Sequence, residues 1–198
     1  MSEMQTTQIR VWDLPVRLFH WSLVAGFAAA YVSAEMHKMA VHVWLGYALL
    51  ALVLFRLVWG FTGNPYARFK SFIFTPQETL AYVRSLRGGH PAHYYGHNPA
   101  GALMVFALLG VLLAIFVSGL VTLAVIDFEG PLLFLANRVS DDTAYFFRHA
   151  HGFFVNVALL LIPLHLLGVA SGSIQHRENL VRAMVTGMKR KVPTEERV

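Results

Sequence analysis

His151-Gly-Phe-Phe-Val-Asn-Val-Ala-Leu-Leu-Leu-Ile-Pro-Leu-His165 decides the fold of this 198-residue chain. It is an uncharged run with a histidine at either end. At 3.6 residues per turn, fourteen residues make about 1400°, which leaves the two imidazoles roughly 40° apart on one helix face and about 21 Å apart along the axis. The hydrocarbon core of a bilayer is about 30 Å thick. One histidine therefore falls near each membrane face. His149 competes with His151, but sixteen residues from His165 is roughly 160° round, on the opposite face. Pro163 withholds the helical hydrogen bond from the Leu159 carbonyl and predicts a kink.

Working outward, four stretches have the length and apolarity of membrane spans, about 15–34, 39–61, 99–126 and 144–172. The chain is 56% hydrophobic and only 14% charged, against about 25% charged in soluble domains. That excludes an ordinary soluble globule and intrinsic disorder. There are no cysteines, which excludes disulfides, thiolate metal centres, iron–sulfur clusters and covalently attached c-type haem. The first stretch has the outline of a signal peptide, with Ala28-Ala29-Ala30 as a cleavage-like site, but His20 and Trp21 inside it favour a retained helix. The expected fold is an all-α integral membrane four-helix bundle, a single domain over 1–198, with a short amphipathic helix between spans 2 and 3 and a cytoplasmic tail over 173–198.

Thirteen of the sixteen Lys and Arg fall on the side shared by the N-terminus, the connection between spans 2 and 3, and the tail. Only Lys38, Arg138 and Arg148 fall on the other. By the positive-inside rule both termini of this multi-pass membrane protein are expected to be cytoplasmic. Within the inner connection, Thr75-Pro76-Gln77-Glu78 reads as a capping box with Pro at the first helical position. Leu80, Val83 and Leu86 follow at helical spacing, as in a helix lying on a membrane surface. The tail residues Leu180, Val181, Met184, Val185 and Met188 repeat the pattern, or form a solvated basic tail. The outer run Pro131-Leu-Leu-Phe-Leu-Ala136 is too short to span and is expected to pack over the mouth of the bundle.

The topology pairs the intramembrane histidines by depth: His20 with His165 near the inner face, His42 with His151 near the outer face. His37 is an alternative to His42 but lies in a connection. Zinc wants four ligands, and no carboxylate lies deep enough to help. A haem needs two axial ligands, and helix bundles commonly hold such cofactors. Two imidazoles fill both positions and leave none for oxygen, which is electron-transfer chemistry. Gly46 and Gly168 each lie about one turn from a ligand and leave room for a porphyrin, or serve helix packing. Arg56 is fourteen residues after His42, on nearly the same face, and would meet a haem propionate unless it snorkels to the interface. Arg17 and Arg148 each precede a proposed ligand by three residues and are candidates for propionates of the inner and outer haem.

Arg17-Leu-Phe-His-Trp21, His42-Val-Trp-Leu-Gly46 with Arg56-Leu57, Gly96-His-Asn-Pro-Ala-Gly101, and His151 to His165 followed by His176-Arg-Glu-Asn-Leu-Val-Arg-Ala-Met184 resemble, in order and spacing, the bacterial di-haem cytochrome b561 family and the b-type cytochrome subunits of nickel–iron hydrogenases. The likeness covers residues 10–190. It implies four spans, two non-covalent haems b on His20, His42, His151 and His165, and electron exchange with ubiquinone or menaquinone. The redox partner expected is a periplasmic cytochrome c, whose basic patch suits the acidic outer side, or an enzyme subunit. The quinone is expected on the inner side, near Arg17, Arg56 and the polar stretch Tyr94–Asn98, although those residues also suit plain interfacial anchoring. Other readings are a quinone:superoxide oxidoreductase acting alone, a haem-free proton-coupled transporter, and a structural membrane anchor. Basic residues that follow topology argue against nucleic acid as a partner.

Overall fold

The computed structural model describes residues 8–89 and 91–191. Arg197 and the end of the tail, 192–198, lie outside the described residues. The element order is β1 (Gln8–Arg10), α1 (Leu14–Glu35), α2 (Met39–Thr62), α3 (Pro76–Arg87), α4 (Pro99–Val125), α5 (Asp141–Gln175), α6 (Leu180–Thr186) and β2 (Met188–Arg190), with short 3₁₀ turns at Phe69–Phe72 and Leu133–Leu135. The chain is mostly helical, and α2, α4 and α5 are long and apolar enough to cross a membrane. At 22 residues α1 has the length, but Arg17, His20, Trp21 and Ser22 dilute its hydropathy below that of the other three. Each end of α5 runs about a turn beyond the 144–172 stretch; at the N-terminal end Asp141 and Asp142 are favourable to the helix start. The helix continues through Pro163.

The chain divides into two compact units. Among the described residues, one comprises 8–24, 56–89, 91–102 and 166–191; the other comprises Ala25–Phe55 and Leu103–His165. The first is built on Val11, Trp12, Val16, Ala67 and Ala183, with Trp59, Tyr66, Tyr95 and Met184 packed around them. Asp13 opens α1 by accepting the Val16 N–H at 2.9 Å, and its other oxygen accepts the Trp59 indole N–H at 2.9 Å. This satisfies an orphan donor of the helix start. The capping box at α3 is present in both directions: the Glu78 N–H donates to Thr75 Oγ1 at 3.2 Å, and the Thr75 N–H to the Glu78 carboxylate at 2.6 Å. The helix buries Tyr82 beside Tyr94, while Leu80 and Val83 of the expected stripe are 50% and 42% exposed.

The tail is more structured than its composition indicates. Asn179 caps α6 through the Arg182 N–H at 2.7 Å. Gly187, at φ +82°, closes the helix in the left-handed region. A Cβ there would lie 2.4 Å from the Trp12 carbonyl oxygen. The Gly187 carbonyl accepts the N–H groups of Val11 and Trp12 at 2.9 and 3.1 Å. Beyond it β2 pairs antiparallel with β1, Ile9 opposite Lys189. A solvated tail does not describe residues 180–190: Ala183 is buried, and Lys189 is only 6% exposed because Glu178 stands 3.3 Å away.

In the second unit Val121, Ala124, Val125 and Ala144 form a cluster where α4 ends and α5 begins, and Leu132 and Leu135 of the connection pack against it. The intervening Leu133 and Phe134 point outward, 48% and 60% exposed.

Candidate functional site

Within the second unit, α2 and α5 bring His42 and His151 together, their ring centroids 6.1 Å apart and their planes at 85°. Each ring is held by a neighbouring helix. His42 Nδ1 lies 2.9 Å from the Ala30 carbonyl of α1, and His151 Nδ1 lies 2.9 Å from the Ile115 carbonyl of α4. A backbone carbonyl only accepts, so in both residues Nδ1 is the donor nitrogen, and Nε2 is the nitrogen left for another partner. That is the state in which imidazole ligates a metal, with its second nitrogen fixed by an outer hydrogen bond.

The separation can be tested against the group expected there. An imidazole–metal bond is about 2 Å, and a ring centroid stands about 1 Å behind its Nε2, so two imidazoles that shared one metal between them would have centroids about 6 Å apart. The pair meets that distance. A Cβ built on Gly46, one turn after His42, meets nothing within 4 Å, which leaves space of the kind a porphyrin edge needs. At Gly119 of α4 the reverse holds: a Cβ would lie 3.0 Å from Cε1 and Nδ1 of His151, so glycine lets the ring seat against α4. His149 is exposed, whereas His151 is half-buried. His37 is exposed in the connection, at φ 57°. These residues fit a haem, and no group of three metal-ligating side chains competes among the described residues.

In the first unit Arg56 is 4% exposed. It does not snorkel. Its Nη2 donates to the Ala67 carbonyl at 3.1 Å, and the guanidinium lies 4.7 Å from the Phe69 ring centroid. Its Nη1 is buried without a hydrogen-bond partner among the described residues. A buried cation with a donor left over is costly unless an anion meets it, and a carboxylate such as a propionate would. Arg17 is half-buried and donates to the Val185 carbonyl, with its Nε buried and without a described partner. Arg148 is exposed. His20, half-buried in this unit, sets its ring edge-on to Trp21 at 5.0 Å. His165 is half-buried at the end of the second unit. His97 packs between Trp12 and Phe72, with ring centroids at 4.8 and 4.4 Å and planes tilted by 56° and 49°.

Spacing alone missed Asp13, although Asp two residues before a proline is a helix-start signal. It also missed the contribution of α4, which carries no histidine; only Ser118-Gly119 on a long apolar helix hinted at a close approach.

A helical membrane chain whose paired imidazoles fit a haem has the make-up of a b-type cytochrome. The profile of the prokaryotic cytochrome b561 family matches residues 11–187, and this chain belongs to that family. It is similar to a protein of Azotobacter chroococcum mcd 1 described as a probable Ni/Fe-hydrogenase B-type cytochrome subunit, 25% identical over 92% of this chain and 89% of the relative. A protein of Azotobacter vinelandii with the same description is 28% identical over 57% of each chain. No solved structure matches. The chain is an integral membrane, haem b-binding electron-transfer protein, which sets aside the haem-free transporter.

Proposed function

We propose that this chain is a di-haem cytochrome b that carries electrons across the inner membrane between the quinone pool and a partner on the outer side. His42 and His151 hold one haem. The observation that carries the reading is that pair, 6.1 Å apart, each with its Nδ1 proton given to a backbone carbonyl. The second haem is assigned to His20 and His165 on the fourteen-residue spacing within α5. When bound, a bis-imidazole haem supplies one-electron chemistry and no open iron position.

The chain's own residues orient and neutralise. The Ala30 and Ile115 carbonyls fix the outer ligands in the donor tautomer. Arg56 offers its unpaired Nη1 to a propionate, with Arg17 and Arg148 as further candidates. The fold is a four-helix bundle in which α1 also crosses. Pairing of β1 with β2 supports this, since strands at opposite ends of the chain meet only if the number of crossings between them is even. With three helices of clear spanning apolarity, this favours α1 as the fourth crossing. The positive-inside bias puts that meeting point in the cytoplasm. The exposed Leu80 and Val83 of α3 suit a lipid surface.

The names of the relatives favour a role as the membrane subunit of a larger enzyme over a superoxide oxidoreductase acting alone. In this reading the quinone lies on the inner side, near Arg56 and the aromatic cluster around His97. The test is reduction by quinol in liposomes. Arg56→Leu or His97→Ala should slow haem reduction at least several-fold. If neither does, while substitutions beside His42 or His151 do, the quinone sits on the outer side.

A further inference from the structure

The two carbonyls that receive the outer histidines have a second feature in common. The Ala30 carbonyl also accepts the hydroxyl of Ser33 at 2.8 Å, and the Ile115 carbonyl lies 3.1 Å from the hydroxyl of Ser118. Both serines are three residues beyond the carbonyl, on different helices, and both are buried, at 6% and 3% exposure. Serine bonded back to its own helix is common. Here the acceptor of the Ser33 hydroxyl, and one of the two carbonyls within reach of the Ser118 hydroxyl, is also used by an imidazole from another helix.

We propose that Ser33 and Ser118 are positioning residues that set the electron donation of His42 and His151 to the outer iron by sharing their carbonyl acceptors. The inference rests on the assignment of a haem to that pair. A carbonyl receiving two donors polarises each less than it would one. Each serine thus weakens the Nδ1–H···O bond and leaves the imidazole a poorer donor to iron than a lone carbonyl would make it. The effect is graded. The Ser33 hydroxyl bonds Ala30, whereas the Ser118 hydroxyl lies closer to the Ala114 carbonyl, at 2.6 Å, than to that of Ile115, and its oxygen also lies 3.5 Å from His151 Nδ1, where it can accept part of that N–H and offset what it takes from the carbonyl. Gly119 acts on the same ring by leaving it room to reach Ile115.

The experiment is a spectroelectrochemical redox titration of the purified haem-loaded protein and its variants. Ser33→Ala removes the competing donor, strengthens the His42 bond and favours ferric iron. It should shift the outer haem's ferric-to-ferrous ratio at fixed potential by up to about tenfold, or about 59 mV downward for one electron. Ser118→Ala should move it the same way by less. Ser33→Thr, which keeps the hydroxyl, should match the parent. Gly119→Ala pushes His151 off its carbonyl and should raise the potential or release the outer haem alone. The inner haem should not move in any variant. Unchanged or raised outer potential in both Ser→Ala variants overturns the proposal, as does a Ser33→Thr shift equal to that of Ser33→Ala. His151→Ala tests the layer beneath: two haems retained there means that the haem assignment itself is wrong.

Discussion

Single residues carry most of the chemistry, and their neighbours decide their state. His151 and His149 are two positions apart, yet one is half-buried against α4 and the other is exposed. The helical angle to His165 separates them from sequence alone, because a fixed 100° per residue is all the argument needs. Arg56 was legible for the same reason. Lys189 was not. Alternation in the tail marks it as a surface cation, and only the fold shows Glu178 beside it. That pocket also holds two imidazoles, His93 and His176, 5.2 Å apart, with Glu178 4.0 Å from His93. Burial lowers the His93 pKa from its ordinary value, and the neighbouring His176 and Lys189 lower it further against the pull of Glu178. Burial lowers that of His176 too, with Lys189 adding to it and Glu178 opposing. A depressed histidine pKa means that the unfolded chain binds protons first. The contribution to stability is therefore full above about pH 6.5 and is lost as the pH falls below it. Thermal unfolding in detergent should show a lower Tm at pH 5 than at pH 7, and His93→Gln with His176→Gln should flatten that difference.

Elements were legible in proportion to their length and punctuation. The long apolar runs gave α2 and α4 to within a residue or so, since hydrophobic length is itself the signal. The capping box at Thr75 located α3, and Thr75→Ala should cost about 1 kcal/mol of local stability, seen as several-fold faster amide exchange confined to Pro76–Arg87. Periodicity did not reveal which face of α3 the protein uses. Tyr82 packs inward beside Tyr94, while Leu80 and Val83 stay open, because a stripe of apolar residues does not say what covers it. The strands β1 and β2 were not readable at all. Three residues each, they exist because Gly187 turns the chain back onto Val11 and Trp12.

At the scale of the whole molecule, the proposed topology rests on lysine and arginine placement, because translocation reads charge, and the pairing of β1 with β2 agrees with the even number of crossings it proposes. Electron transfer across a membrane needs carriers near both faces, which is why one haem on His42 and His151 would leave the proposed route incomplete. The identity of the redox partner is not written in the helices, since partner recognition lies in surface residues rather than in the periodic core. The measurement that bears most directly on the account is haem quantification per chain, with a reduced-minus-oxidised spectrum, on the purified protein. Two non-covalent haems b per chain, falling to one in His165→Ala with the outer haem intact, is the predicted result. One haem in the parent protein, or two still held by His165→Ala, would contradict it.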